Sequence, residues 1–531
     1  MAVRAGRPLA RDPGELYDTL GALDRPCFVV RDERGLGATN DEPPHDAGAV
    51  VLAAVPPLSP ARLGSAGFLR DHGLGQPYMA GAMANGIASA DLVVAMATAG
   101  YLASFGAAGL PSPKVDAALA DIGRRAPGRP FACNLIHSPT ELAMERSTVE
   151  LCLRHQVRCV EASAFLDLTP QVVRYRLAGL SGDGQGGVRV GNRVIAKVSR
   201  AEVAERFLRP APEPLVRGLL ESGEVTAEQA ELARRVPLAD DLTAEADSGG
   251  HTDGRPLAVL LPELIAVRDR VRRETGLRYG TRVGAAGGIG TPAAACAAFA
   301  MGAAYVVTGS INQASVEAGQ STAAKRLLAA SRSTDCMLAP SADMFEMGVE
   351  VQVLGHGTMF AVKARRLYEC YRAHASIEDI PEAERASLEE RIFRRPLAEV
   401  WEDTCRFFRE RDPDQITRAR HDPKRRMALV FRWYLGLSSA WSIVGDTGRA
   451  TDYQIWCGPA IGAFNDWVAG TYLAALENRH VVDIAANLVR GAAFASRVSQ
   501  LRLAGVSLPA GCLTYFPSPL AQAGTLNRSM A

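Results

Sequence analysis

The chain has 531 residues, 47% of them apolar and 22% charged, the balance of a folded protein rather than a disordered or fibrous one. Basic and acidic side chains nearly cancel at a formal charge of +1, which gives no reason to expect a nucleic-acid partner. Ten cysteines without a CxxC pair argue against a zinc framework or a disulfide scaffold, and for a reducing cytoplasm.

The opening stretch "MAVRAGRPLARDPGELYD" lacks the apolar core of a secretory signal, and residues 1–75, rich in Pro and Gly with short alternating stretches, predict a small β-rich cap. Residues 92–110 carry no charge and match a membrane span in length, but Gly, Ala and Ser dominate them, so they are read as buried core with no membrane partner. From residue 76 the chain repeats a short apolar run, a turn and a helical segment. The runs are Tyr78–Ala84, Leu102–Gly106, Phe131–Ile136, Cys159–Phe165, Val194–Ser199, Leu242–Asp247, Arg282–Gly287 and Ala304–Thr308. Runs apolar on both faces and separated by helices imply parallel strands. Eight of them within residues 76–340 predict an α/β fold, the (β/α)8 TIM barrel, whose usual span is about 250 residues. An open doubly wound sheet is the alternative.

The strand ends carry the chemistry. Gly81, Ala82, Met83 and Ala84 put small residues after the first strand, where backbone passes close to a flat ring. The third strand ends near Asn134 and His137, and the fifth near Lys197. Each has a plain alternative: Asn134 satisfies a loop backbone, and Lys197 pairs with Asp247. Residues 200–241 are too long for one crossover helix, and Thr226 with Gln229 has the form of a helix start, so a helical insertion is expected. In "TAEADSGGHTDGRP" the sixth strand ends in Gly249-Gly250-His251, with Glu245, Asp247 and Asp253 near enough in sequence to orient an imidazole that donates a hydrogen bond or a proton. The plain alternative is a loop histidine capping a turn. Gly287-Gly288-Ile289-Gly290 precedes Thr291 and Pro292, a helix start, and the eighth strand ends in Thr308-Gly309-Ser310. Paired glycine loops after strands seven and eight suit a phosphate, of FMN rather than a dinucleotide, although tight packing alone also uses glycine. Residues 341–531 are expected to form a C-terminal helical domain. Trp433, Tyr434, Tyr453, Trp456, Phe464 and Trp467 read as its core. Its basic clusters at 363–366 and 418–426 read as solvated helix faces.

These strand-end motifs resemble the nitronate monooxygenase superfamily of FMN barrels, which includes the flavin enoyl reductases. Its Glu-Ala/Ser-Gly-Gly-His loop corresponds to Asp247-Ser248-Gly249-Gly250-His251. More closely, "NLIHSP", "VEASAFLDLTP", "AKVSRAEVA", "EADSGGHTD", "VRVGAAGGIGTP", "VTGSINQ", "APSADMFEMGV", "FRWYLG" and "DYQIWCGPAIGAFN" resemble the PfaD-type trans-acting enoyl reductases of polyunsaturated-fatty-acid and trans-acyltransferase polyketide synthases. The resemblance implies FMN, NADPH as reductant, and an enoyl thioester borne by an acyl carrier protein. It also implies a second reading of the C-terminal region, in which part of the aromatic cluster shapes an acyl tunnel and one basic cluster, 363–366 or 418–426, docks the acidic carrier. It implies a flavin site of Gly81, Ala82, Met83, Ala84, Asn134, Lys197, Gly249, Gly250, Gly287, Gly288, Thr308, Gly309 and Ser310, with His251 as the catalytic histidine and water as the rival proton source. A homodimer is a further expectation, because flavin barrels often pair. Superfamily relatives often have Glu, and a glycine after the histidine, where this chain has Asp247 and Thr252-Asp253. The alternatives in function are a nitronate monooxygenase-type oxidase and a non-catalytic synthase scaffold.

Overall fold

Fifteen strands alternate with helices in the computed structural model, which describes residues 9–43, 48–137 and 142–520. In chain order the strands are β1 (Cys27–Asp32), β2 (Gly35–Thr39), β3 (Val50–Val55), β4 (Tyr78–Ala80), β5 (Leu102–Phe105), β6 (Ala132–Ile136), β7 (Cys159–Ser163), β8 (Leu180–Gly182), β9 (Val188–Val190), β10 (Arg193–Val198), β11 (Asp241–Glu245), β12 (Arg282–Ala286), β13 (Val306–Thr308), β14 (Cys336–Pro340) and β15 (Glu350–Leu354). Strands β4–β7 and β10–β13 form a closed barrel, and every one of the eight apolar runs supplies one of its strands. All neighbours in it are parallel, and closure comes from β13 on β4, with Val306 opposite Tyr78 and Thr308 opposite Ala80. All five residues of β7 and all four of β5 are buried, which is why these strands read as continuous apolar runs. The uncharged run 92–110 divides between the helix Ala90–Thr98 and β5.

The N-terminal half of the barrel is filled by Met79, Leu102, Ala132, Cys159 and Ile195, and by Phe68 stacked on Tyr305 at 4.1 Å. Below it lies a buried ion network. Asp241 accepts from His72 at 2.7 Å and from Arg282 at 2.5 Å, and Arg282 also reaches Asp71 at 2.6 Å. Neighbouring Asp240 accepts from Arg176 at 2.6 Å, Tyr279 at 2.7 Å and Arg193 at 3.1 Å. Burial alone would raise the pKa of Asp241, but the His72 and Arg282 charges hold it at about 2.

Between β10 and β11, Ala201–Leu208 is the barrel's own helix, and Glu213–Glu221 and Ala227–Ala233 are the two inserted ones. The expected helix start at Thr226 is a reciprocal capping box with Gln229, at 3.2 and 2.9 Å. A second insertion, the β8–β9 hairpin, has its turn held by the Asp183 carboxylate accepting from Gln185 and Gly187. Near the N-terminus, β2-β1-β3 form an antiparallel sheet beside the helix Pro13–Gly21. The long helix Val481–Leu503 locks that sheet in place through Arg497, a fully buried guanidinium donating to the carbonyls of Leu20, Ala22, Leu23, Arg25 and Pro56.

Two compact units result. The first holds the described residues up to Asp247, then Asp253–Ala318, and those from Ala463 onward; the second holds Ser248–Thr252 and Gly319–Gly462. This differs from the expected boundaries at 75 and 340. The N-terminal sheet shares a core with Ala493, Phe494, Val498 and Leu501 of the last helix, so residues 341–531 are not one domain. The second unit combines the β14–β15 antiparallel hairpin with helices from Phe360 to Val444 around Phe345, Phe360, Phe393, Phe431 and Tyr434. The expected aromatic cluster divides accordingly. Trp433, Tyr434 and Trp456 pack in the second unit, whereas Phe464 and Trp467 pair at 5.8 Å in the first. Among the described residues one helix, Pro423–Val444, is long and apolar enough to cross a membrane by length and composition, and ten of its residues, Tyr434 among them, are buried in the second unit.

Candidate active site

Parallel order brings the C-terminal ends of all eight barrel strands to one rim, and this is where most of the predicted residues lie. Lys197, next to last in β10, forms its ion pair with Glu245 of β11 at 2.9 Å, two residues before the Asp247 expected from sequence. Burial works against its ammonium, but the Glu245 and Glu161 carboxylates outweigh that cost and raise its pKa, so the cation persists at neutral pH. Glu161 is the residue that sequence reasoning missed. It lies in the middle of β7, 1% exposed, and its carboxylate accepts the Ala82 N–H at 2.8 Å. The same turn is fixed by Gly81 N–H donating to Thr308 O at 3.0 Å, Ala88 N–H to Met83 O and Ile87 N–H to Ala84 O, both at 3.1 Å. A Cβ on Gly81 would lie 2.8 Å from Val307 Cγ1, so glycine is required there by packing. The available signal was a single carboxylate inside an otherwise apolar run, "CVEAS".

Asn134, in β6, donates its amide to Glu161 O at 3.1 Å and Ser163 Oγ at 3.0 Å, which ties the third and fourth strand ends together. His137 pairs through Nδ1 with the buried Glu145 at 2.9 Å and stacks on Phe165 at 5.3 Å. Ser138 and Pro139 of the quoted motif lie outside the described residues. The Thr308 hydroxyl, expected to face an anion, is instead committed to the core: it bonds Tyr78 and accepts from Asn312 at 3.0 Å. Ser310 begins the short helix Ser310–Gln313.

The glycine loops provide the fit test for a phosphate. Gly287 and Gly288 have φ of +87° and +71°, in the left-handed region that side chains avoid. A Cβ on Gly287 would collide with Ala246 at 2.6 Å, whereas Gly288 and Gly309 each face open space. The helix Pro292–Ala300 follows, capped by Thr291 Oγ1 on the Ala294 N–H at 3.3 Å. Among the described residues, no carbonyl or side chain accepts from the N–H groups of Gly288, Ile289 or Gly309. Backbone donors at two adjacent strand ends and a helix start suit an anion, so these residues fit the phosphate of a mononucleotide.

His251 belongs, by its contacts, to the second unit. Its Nε2 lies 3.1 Å from Asp343 Oδ2, a partner 92 residues away that the sequence did not single out. Of the three carboxylates expected to orient it, Glu245 is paired with Lys197, and Asp253 accepts from Ser199 at 2.5 Å and Arg200 at 3.0 Å. Partial burial would raise the pKa of Asp343, but the hydrogen bond and charge of His251 and the Ser341 hydroxyl pull it down to about 2. Gly250, at φ +81°, forms a two-way backbone bridge with Gln352 of β15, at 2.9 and 2.8 Å. Gly249 is pressed on the backbone of Cys457, whose Cα would lie 2.6 Å from an added Cβ. Gly249 is therefore required by packing within the second unit, and Gly250 by its left-handed backbone.

Elsewhere, Cys370, His374 and Glu384 bring a thiol, an imidazole and a carboxylate within 4.8 Å of one another. Arg366 pairs with Glu384 at 2.5 Å, and Lys424 donates to His374 O at 2.5 Å, so two cations border that cluster and oppose a metal ion there. The basic clusters are largely used internally: Lys363 on buried Asp452 at 2.5 Å, Arg426 on Glu378 at 3.3 Å and over the Trp401 ring.

The family described as fatty acid synthase subunit PfaD N-terminal domain matches residues 6–57, and the acyl-carrier-protein S-malonyltransferase inserted helical domain matches residues 374–453. A polyunsaturated fatty acid synthase subunit of Thraustochytrium sp. is 48% identical over 512 residues, 94% of this chain and 34% of that protein. Polyketide biosynthesis protein PksE of Bacillus subtilis is 45% identical over 428 residues, 80% of this chain and 55% of that one. The chain thus spans only part of the curated relatives it matches. The crystal structure of the enoyl reductase domain of MlnA, from the macrolactin biosynthesis cluster of Bacillus amyloliquefaciens, is 38% identical with a TM-score of 0.79, covering 83% of this chain and 98% of that domain.

Proposed function

The chain belongs to the PfaD-type enoyl reductase family, and from that premise we propose that it is an FMN-dependent, NADPH-driven reductase of the 2,3 double bond of enoyl thioesters carried on an acyl carrier protein. Its setting would be polyketide or polyunsaturated-fatty-acid assembly. The observation that carries the reading is the barrel's C-terminal rim: a persistent Lys197 cation beside a close-packed glycine turn, with unused backbone donors at Gly288, Ile289 and Gly309. The likeness to the MlnA domain supports it.

When bound and reduced by NADPH, FMN supplies the hydride that reaches the β-carbon of the enoyl thioester. Gly288, Ile289 and Gly309 would hold its phosphate through backbone N–H groups. The Gly81–Ala84 turn, braced by Glu161 and Thr308, would let the ring lie close to the backbone. Lys197, kept protonated by Glu245 and Glu161, would offer positive charge to the pyrimidine edge, and Asn134 would present its amide oxygen. His251, oriented by Asp343, is assigned to the thioester: it donates a hydrogen bond to the carbonyl oxygen as enolate character develops, or the proton that the α-carbon takes up.

The test is anaerobic. NADPH bleaches the flavin of the purified protein, and a crotonyl carrier thioester re-oxidises it with formation of the butyryl product. A protein that FMN does not reconstitute, or one whose electrons pass only to oxygen, overturns the reading.

A further inference from the structure

Three consecutive residues of β15 act as a rail in the second unit. Gln352 carries the Ser248–Thr252 loop, through the bridge to Gly250 and through its side-chain amide on Ser248 O at 2.8 Å. Val353 bridges Trp456, and Leu354 donates its N–H to Ile455 O at 2.8 Å while lying opposite Cys336 of β14. The segment 455–458 and the loop bearing His251 are thus held on the same strand. They also touch each other: Gly249 has no room for a Cβ against Cys457, and a Cβ on Gly458 would lie 3.1 Å from Gly249 N. At this junction the Cys336 and Cys457 sulfurs lie 3.8 Å apart, although 121 residues separate them in the chain.

The two thiols differ in access. Cys336 is partly exposed and Cys457 is buried. The hydrogen bond with Cys336, and burial after it, raise the Cys457 pKa well above the usual thiol value, so its proton is retained and Cys336 is the sulfur that meets a reagent first.

We propose that Cys336 and Cys457 are a reversible disulfide site, formed by exchange with a small-molecule disulfide such as oxidised glutathione, and that its closure shifts the Ser248–Thr252 loop. In the first step Cys336 loses its proton to water and attacks one sulfur of the reagent, whose S–S bond breaks and releases one thiol. Cys457 then gives up its proton and attacks Cys336, expelling the second thiol. Two protein thiols are oxidised, and one small disulfide is reduced to two thiols. Contraction from 3.8 Å to a covalent S–S bond of about 2.05 Å moves Cys457, Cys336 or both. Because Gly249 has no slack against the Cys457 backbone, that movement is transmitted along the loop to His251 and its pairing with Asp343.

The full chain is equilibrated in glutathione buffers of increasing oxidation, trapped with N-ethylmaleimide and digested for mass spectrometry. Amide hydrogen exchange is followed over residues 248–252. Expected are a Cys336–Cys457 cross-linked peptide, reversed by dithiothreitol, and an exchange rate in the loop changed by about tenfold. Cys336→Ser and Cys336→Ala show neither effect under the same oxidant. Recovery of both cysteines as maleimide adducts in excess oxidised glutathione overturns the site, and a disulfide that leaves loop exchange unchanged overturns its coupling to His251. Neither readout requires turnover, so the outcome is separate from that of the proposed reaction.

Discussion

The two ends of the barrel use charge in opposite ways. At the N-terminal end Asp240 and Asp241 are enclosed by His72, Arg176, Arg193, Tyr279 and Arg282, with hydrogen bonds between 2.5 and 3.1 Å. At the C-terminal rim one lysine answers two carboxylates, and backbone N–H groups of Gly288, Ile289 and Gly309 have no protein acceptor among the described residues. A network closed on itself stabilises the fold, whereas donors held in place without acceptors are organised for a ligand. Substitutions at the first end should therefore be read in stability, and those at the second in cofactor retention and rate.

The sharpest test of that contrast is Asp241→Ala, which leaves the buried Arg282 guanidinium and the His72 ring without their carboxylate. It should cost about 3–5 kcal/mol in urea unfolding, with flavin content per folded molecule unchanged. The pH dependence has a definite sign. With the native pKa at about 2 and the ordinary value at 3.8, the stabilisation by Asp241 is complete above 3.8 and disappears as pH falls through about 2. The gap between wild type and Asp241→Asn should narrow over that window, and a constant gap would contradict the assignment. His251→Ala should lower enoyl turnover by about 100-fold while retaining bound flavin, and full turnover would remove it from the mechanism. Lys197→Met should weaken FMN retention by about tenfold, measured by flavin released on dilution, and cost less in unfolding than Asp241→Ala, because its pair with Glu245 is partly solvated. Smallest is Gly288→Ala: its Cβ meets nothing within 4 Å, so the cost to stability is the φ of +71° alone, about 1 kcal/mol. A loss of several kcal/mol there would show that the rim too is a structural end.

Much of this was legible in the sequence because the barrel strands are buried on both faces and so spell continuous apolar runs, and because Gly287 and Gly288 mark a turn that only glycine enters easily. What escaped has physical causes. Glu161 is a single carboxylate in a buried strand, where an apolar run masks it. Asp343 meets His251 from 92 residues away, and no local spacing encodes that pairing. The β8–β9 hairpin was announced by "SGDGQGG" between short alternating stretches, a turn signal that went unused. The return of the last helix to the first unit depends on Arg497 finding backbone carbonyls more than 400 residues earlier, which composition does not reveal.

The claim beneath all of this is that the C-terminal rim holds the flavin. A crystal structure of the FMN-loaded protein tests it most directly: the phosphate should accept from the Gly288, Ile289 and Gly309 backbone, with the ring beside Lys197 and the Gly81–Ala84 turn. Flavin density anywhere else, with no phosphate on those donors, would contradict the account.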